Sequence, residues 1–326
     1  WLRRGALLSG ASAAAAGAVL LTAPAIAGNG APAAPLVLTS SNPATLAKAL
    51  VTAAGNPAVP GNLTPELQSA RRDVAVTESG CHLGFLQVDQ GACEYGDPQG
   101  TRTVVLFGDS HAQQWMGALD SEAKDQHWKV VSLTKAACPV ADVTLVNPTL
   151  KRDYTECTTW RERTVERIAE LKPDLVLVSQ SDSVPGRRVS NETWAEQTVV
   201  TLERLRQAGS RVQLIRDTPY PSGDVPTCVA ANLADVRACQ VTRDDAYHGS
   251  ALYTDRHRQV GAAAKTAGFP MIEPLPWLCS PSACPVIVGN ELVYRDDSHL
   301  SNTFSTTLAP MLAPSLRAAA RQETSG

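Results

Sequence analysis

Two short stretches carry side chains whose types and spacing allow covalent chemistry. The first is Gly108-Asp109-Ser110-His111, which ends the apolar run Val104-Val105-Leu106-Phe107. An amphipathic stretch, Ala112 to Gln126, follows at once. A serine at such a strand-to-helix turn sits where backbone N–H groups are unpaired and the helix dipole favours negative charge. Those features suit a nucleophile that must stabilise an oxyanion. The second stretch is Tyr294-Arg295-Asp296-Asp297-Ser298-His299-Leu300-Ser301. Asp296 stands three residues before His299, close enough to fold back onto the Nδ1 side of the imidazole. One loop would then supply both a general base and its orienting carboxylate. The plain alternative is structural: Asp109 or Ser110 only caps a helix, and Asp296 and Asp297 only cap turns.

Other histidines are weaker candidates. His111 adjoins Ser110 and should point elsewhere; His82 precedes the domain in a loop. His127 ends a helical stretch, and His248 and His257 lie in a polar helical region, which suits surface or packing roles. Trp115, Trp160, Trp194 and Trp277 could bind a sugar acceptor or fill the core.

The elements that must hold these residues alternate. Strands are expected at Thr103–Phe107, Lys129–Leu133, Asp174–Ser179, Arg211–Arg216 and Phe269–Ile272. Helices are expected at Ala112–Gln126, Cys157–Leu171 and Thr193–Ala208, with Asn191 as the cap of the last. A mostly helical stretch spans about Asp244 to Ala267, and a last helix runs from about Asn302 to Arg321. Gly289-Asn290, between Val286–Val288 and Leu292–Tyr294, signals a hairpin. Repeated βα units imply an α/β fold: a flavodoxin-like, three-layer αβα sandwich around a five-stranded parallel sheet. Sites in such sheets lie beyond the carboxyl ends of the strands, where Ser110, Ser179 and Asp217 all fall.

The 326 residues divide into a segment at 1–28, a linker and extension at 29–100, and a main domain at 101–326. Trp1, not Met, opens the chain, which suggests a fragment or a processed chain. Gly5 to Ala27 holds no charged residue and follows Arg3-Arg4. It reads either as a transmembrane helix or as a cleaved signal, and both send the rest of the chain out of the cytoplasm. Gly28 to Gly61 is rich in Ala, Pro, Gly, Ser and Asn, with a helical patch near Ala44 to Ala54. Thr64-Pro65 should begin a small helix.

A net charge of −3 without charge runs argues against a nucleic-acid surface. Eight cysteines, Cys81, Cys93, Cys138, Cys157, Cys228, Cys239, Cys279 and Cys284, fall in near pairs without a Cys-x-x-Cys or clustered histidines. That pattern excludes an obvious zinc site and fits disulfides of an oxidising compartment, paired in sequence order. No cofactor or metal is called for.

Gly108-Asp109-Ser110-His111 and Asp296-x-x-His299 resemble the first and last blocks of the SGNH (GDSL-type) esterase and acyltransferase superfamily. The resemblance implies the SGNH hydrolase fold, Ser110 as nucleophile, His299 as base and Asp296 as its orienter. It also implies an oxyanion hole that includes the Ser110 N–H. The middle blocks depart from the family. Its Gly-x-Asn-Asp aligns with Ser179-Gln180-Ser181-Asp182, and its second glycine is missing near Thr134–Pro139. Substitute donors are the backbone near Ala136 or Ala137, the Gln180 side chain, or Ser181.

Together with Leu63-Thr64-Pro65-Glu66-Leu67, Gly80-Cys81-His82, the Gln113-Gln114-Trp115 that follows Ser110, and Cys138-Pro139, the chain is similar to the C-terminal SGNH domains fused to bacterial acyltransferase family 3 membrane proteins. This implies O-acylation of a cell-envelope glycan outside the cytoplasm. The acyl donor would come from an upstream membrane domain, with anchoring through residues 5–27. A secreted carbohydrate esterase is the rival reading, and a non-catalytic glycan-binding module a third.

Overall fold

The computed structural model describes residues 28–39, 42–75, 80–183, 189–247 and 251–321. The expected membrane helix or signal at Gly5–Ala27 lies outside them, as does His248. Among the described residues no helix is long and apolar enough to cross a membrane.

In chain order the strands are β1 (His82–Leu83), β2 (Glu94–Gly96), β3 (Arg102–Gly108), β4 (Trp128–Lys135), β5 (Val146–Asn147), β6 (Arg152–Asp153), β7 (Leu175–Ser179) and β8 (Val212–Ile215). Then come β9 (Val241–Thr242), β10 (Met271–Ile272), β11 (Ala283–Cys284), β12 (Ile287–Val288) and β13 (Glu291–Leu292). The α-helices are α1 (Pro43–Gly55), α2 (Ser110–Gln113), α3 (Met116–Asp125), α4 (Thr155–Leu171) and α5 (Asn191–Gln207). They continue with α6 (Val225–Ala231), α7 (Ala251–Thr266), α8 (Leu275–Leu278), α9 (Asn302–Thr307) and α10 (Ala309–Arg321).

All five expected strands form and run parallel, in the spatial order β4-β3-β7-β8-β10. That is the flavodoxin-like order. The sheet is larger than five strands, however. β1 adds parallel to the outer edge of β4 at His82↔Thr134, and β2 adds antiparallel along the same edge at Tyr95↔Val130, giving seven. The extension before residue 101 thus covers a sheet edge that would otherwise leave backbone groups unpaired. The Cys81–Cys93 disulfide closes that segment.

Alternation along the strands sorts their side chains into two layers. Val104 and Leu106 of β3 face one core with Trp128, Leu175, Leu177 and helices α1, α3, α9 and α10. Val105 and Phe107 face the other with Leu133, Val176, Val178 and helices α4, α5 and α7. Helices therefore pack on both faces, as a parallel sheet buried on both sides requires. The helical patch in the linker is α1, whose Leu46 and Leu50 are 1% exposed. Truncating either to alanine should cost about 2–5 kcal/mol.

Four local expectations are not met. The helix after Ser110 breaks at Gln114–Trp115 into α2 and α3, and the last helix breaks at Leu308 into α9 and α10. Thr64-Pro65 starts no helix: Thr64 N–H donates to Asn290 O, and Leu292 N–H donates to Thr64 O, so Thr64 pairs with the β12–β13 hairpin. The cap of α5 is Ser190, whose hydroxyl accepts from Thr193 N–H, not Asn191.

Candidate active site

Ser110 owes its position to the residues on either side. Gly108 ends β3 at φ 151°, and a Cβ there would lie 1.8 Å from Ser179 O, so only glycine lets β3 and β7 approach so closely. Asp109 caps α2 by accepting from His111 N–H at 2.8 Å, and its other oxygen accepts from Ser181 N–H at 2.9 Å. Asp109 thus caps the helix and braces the turn against the loop after β7. It is fully buried, and burial raises its pKa to about 6 against the pull of His111 and those two N–H groups.

His299 arrives from the far end of the chain. Tyr294 and Leu300 form an antiparallel bridge, and Arg295 N–H donates to His299 O, which shapes the loop. Leu300 N–H donates to Gln114 Oε1 at 2.8 Å, and Ser305 Oγ donates to Gln114 O at 2.6 Å. Gln114 thereby ties the His299 loop to the helix end that carries Ser110. His299 Nε2 lies 2.8 Å from Ser110 Oγ. His299 Nδ1 lies 2.9 Å from Asp296 Oδ2, and Asp296 Oδ1 accepts from the backbone N–H of Ser298 and His299. Burial would raise the Asp296 pKa, but the bonds and charge of His299 hold it well below the usual range. Burial depresses the His299 pKa; Asp296 opposes this, and the charges of His111 and Arg295 add to it.

Behind this trio sits a second, fully buried pair. His111 Nδ1 lies 2.6 Å from Asp217 Oδ1, with both side chains almost inaccessible. Burial favours a neutral ring, yet Asp217, Asp109 and Asp296 overrule it and lift His111 to about 9. Asp217 also accepts from Asp182 N–H, Thr218 N–H and the Tyr220 hydroxyl. The His111 and His299 rings are 4.8 Å apart. Sequence reading placed Asp217 at a strand end without a partner; the partner is the histidine next to the serine. Asp182 in turn pairs with His257 at 2.9 Å. Gln114 was missed as well, and nothing local to it signals a contact 186 residues away.

A cleft of about 200 Å³ opens beside Ser110 and His299. Ala137, Ser181 and His111 line it. Ala137 adopts φ 47°, a left-handed conformation, at the place where the family glycine was expected. Gln180 does not serve as a donor to this cleft. Its Oε1 accepts from Ala141 N–H, and its Nε2 donates to Thr198, because burial demands partners at both ends of the amide. The Ser181 N–H is taken by Asp109, and its hydroxyl lies 2.9 Å from those of Ser183 and Tyr220. Trp115, Trp160 and Trp194 are core residues at no more than 1% exposure, and Trp277 packs edge-on against Trp115. None of the four lines the cleft. His82, expected in a loop, is on β1 beside Thr134, and burial pulls its pKa down to about 4. A larger cleft of about 380 Å³ between residues 33–36 and α1 carries no histidine or carboxylate.

The eight cysteines pair in sequence order, Cys81–Cys93, Cys138–Cys157, Cys228–Cys239 and Cys279–Cys284. The second clamps the loop that carries β5 and β6, which walls the cleft.

An α/β protein with a serine and a histidine in contact at the carboxyl edge of a mostly parallel sheet falls in the class that transfers acyl groups or hydrolyses esters. Residues 80–314 match the family model described as "SGNH domain (fused to AT3 domains)", and the chain belongs to that family. Among solved structures it is similar to the periplasmic domain of a lipopolysaccharide acetyltransferase from Salmonella ser. Paratyphi A. The identity is 16%, the TM-score 0.58, and the match covers 73% of this chain and 92% of that one. It also matches Est24, a carbohydrate acetylesterase from Sinorhizobium meliloti, at 15% identity and TM-score 0.43, covering 67% and 99% of the two chains. An aryl esterase from M. smegmatis matches at 14% and 0.42, covering 67% and 100%. No curated protein matches the sequence.

Proposed function

We propose that the chain is the extracytoplasmic O-acyltransferase domain of a cell-envelope glycan-modifying system, with Ser110, His299 and Asp296 as its catalytic residues. The observation that carries this is the 2.8 Å contact between His299 Nε2 and Ser110 Oγ, with Asp296 on the opposite ring nitrogen. His299 takes the Ser110 proton as Oγ attacks the acyl carbonyl carbon. It then gives that proton to the departing oxygen of the donor, leaving an acyl-serine. A sugar hydroxyl next yields its proton to His299, attacks the acyl-serine, and regenerates Ser110. The oxyanion is met by the N–H groups of Ser110 and Ala137. The first lies in the opening turn of α2, where helical acceptors are missing, and the second sits on the cleft wall.

Two findings favour transfer to a sugar over hydrolysis. The matching family is described by its fusion to AT3 domains, and the acetyltransferase periplasmic domain shares the fold over most of both chains. The membrane domain would supply the acyl donor, and residues 5–27 would anchor this one. The first test is turnover of p-nitrophenyl acetate by the purified chain and by Ser110→Ala. Loss of turnover in the variant is expected, and full activity would sink the catalytic claim. The second adds a sugar acceptor: acyl-sugar forming at the expense of free acid marks a transferase, and free acid alone marks an esterase.

A further inference from the structure

The cleft beside Ser110 is not evenly polar. Its apolar lining is made by Phe85, Leu145, Val146, Pro148 and Tyr154. They come from three segments, the Phe85 loop, the stretch at 145–148 and Tyr154, which are tied to one another. Lys135 Nζ, at the end of β4, donates to the carbonyls of Gly84, Phe85 and Gln87 at 2.6, 3.1 and 2.5 Å, fixing the Phe85 loop. The same ammonium lies 5.2 Å from the centre of the Tyr154 ring. Tyr154 OH donates to Ala136 O at 2.8 Å, one residue from Ala137, and its N–H donates to Leu145 O. Phe85 and Tyr154 meet edge to face at 5.9 Å. Cys138–Cys157 closes the loop that carries Leu145 and Val146.

A buried lysine is costly, and burial drags this one down to about 8. Its three donors go to backbone carbonyls of the loop that carries Phe85, so the cost maintains a preformed apolar wall beside the serine. One water needs only about 10–15 Å³ of such space, so about 200 Å³ far exceeds what a two-carbon acetyl requires. Among the described residues, the cleft walls carry no carboxylate, lysine or arginine, and their one raised histidine, His111, is already paired with Asp217.

We propose that this wall is an acyl-chain pocket and that the group Ser110 carries is an uncharged aliphatic acyl chain longer than acetyl. The proposal rests on Ser110 being the nucleophile. Lys135 and Tyr154 act as positioning residues for the wall. Each methylene moved from water onto it should improve kcat/KM by about fourfold until the pocket is full.

The test is a series of p-nitrophenyl esters, acetate, butyrate and hexanoate, with the wild-type chain, Val146→Trp and Val146→Ala, each run beside Ser110→Ala. Val146 is half-buried on the cleft wall, so the tryptophan fills the pocket and the alanine enlarges it. The wild type is expected to prefer butyrate or hexanoate over acetate by tenfold or more. Val146→Trp should reverse that ratio by at least tenfold, and Val146→Ala should leave it standing. Serine-dependent turnover with a flat or acetate-favouring profile overturns the acyl pocket alone. A ratio unmoved in Val146→Trp, with slower transfer to sugar, assigns the wall to the acceptor and overturns it too. Turnover that survives in Ser110→Ala overturns both the pocket and the nucleophile.

Discussion

Two of the histidine–carboxylate pairs stand side by side at the cleft, and their histidines shift in opposite directions. In His299–Asp296 the contact is 2.9 Å, and in His111–Asp217 it is 2.6 Å; both use Nδ1. Judged by pair geometry alone, both imidazoles should gain a proton. The surroundings decide otherwise. His111 faces Asp217, Asp109 and Asp296 and stays cationic to about pH 9. His299 is desolvated by burial, faces one carboxylate and two cations, His111 and Arg295, and falls below its ordinary value. Two imidazolium rings 4.8 Å apart repel each other strongly in a poorly hydrated site, so one proton settles on the deeper ring. The outcome is a raised pKa at His111 beside a lowered one at His299. A general base must be neutral to accept a proton, so in the proposed mechanism the buried pair would make the half-buried one usable at lower pH.

Removing the working half should have the largest effect. His299→Ala and Ser110→Ala should each lower kcat by at least about 10³-fold in an ester-hydrolysis assay. Asp296→Asn keeps the shape but reverses the hydrogen-bond preference at Nδ1, and a loss approaching about 10⁴-fold is the scale for such a change. Either variant working at wild-type rate would break the assignment of this pair as the active one.

Asp217→Asn probes the other half. It leaves His111 without its nearest anion, and breaking a buried ion pair costs about 3–5 kcal/mol in urea unfolding. The sign of the pH dependence is fixed: a histidine whose folded pKa is raised stabilises fully below about 6.5, and that stabilisation is lost as pH rises through about 9. The stability gap between wild type and Asp217→Asn should therefore shrink between those limits. Without the neighbouring cation the His299 pKa rises, so the acid limb of kcat/KM should move to higher pH, having lain below pH 6.5 in the wild type. An unmoved acid limb would show that the two rings do not communicate.

The smallest effect is expected from Gln114→Ala, which frees Leu300 N–H and loosens the His299 loop. About a tenfold fall in kcat with little change in KM is the expected result of such a misplacement. Restoration by Gln114→Glu, which keeps an acceptor oxygen, would sharpen the assignment to that one bond.

Much of this was legible in the sequence because its signals are local. Val104–Phe107 reads as a strand from β-branched and apolar residues, Gly108-Asp109-Ser110-His111 as a strand-to-helix turn, and Asp296-x-x-His299 as a pair on one loop. The order of the five parallel strands followed from the alternation of strands and helices. What stayed hidden depends on residues far apart in the chain. Nothing near His111 indicates Asp217, 106 residues later, and nothing near Gln180 shows that Ala141 and Thr198 occupy its amide. The extra strands β1 and β2 are two and three residues long, too short for any periodicity, and exist because β4 offers an unpaired edge. The four tryptophans divided only when packing showed three buried outright.

Residue types and short spacings by themselves determined the fold class, the serine, the histidine with its carboxylate, and the cysteine set. Hydrogen-bond reach and strand period act over a few residues and leave their mark in the sequence. Tertiary structure alone decided which histidine lies among three carboxylates, which expected donors are already occupied, and which side chains wall the cleft. Those depend on burial and on the sum of charges within a few ångströms, and both are properties of the packed molecule.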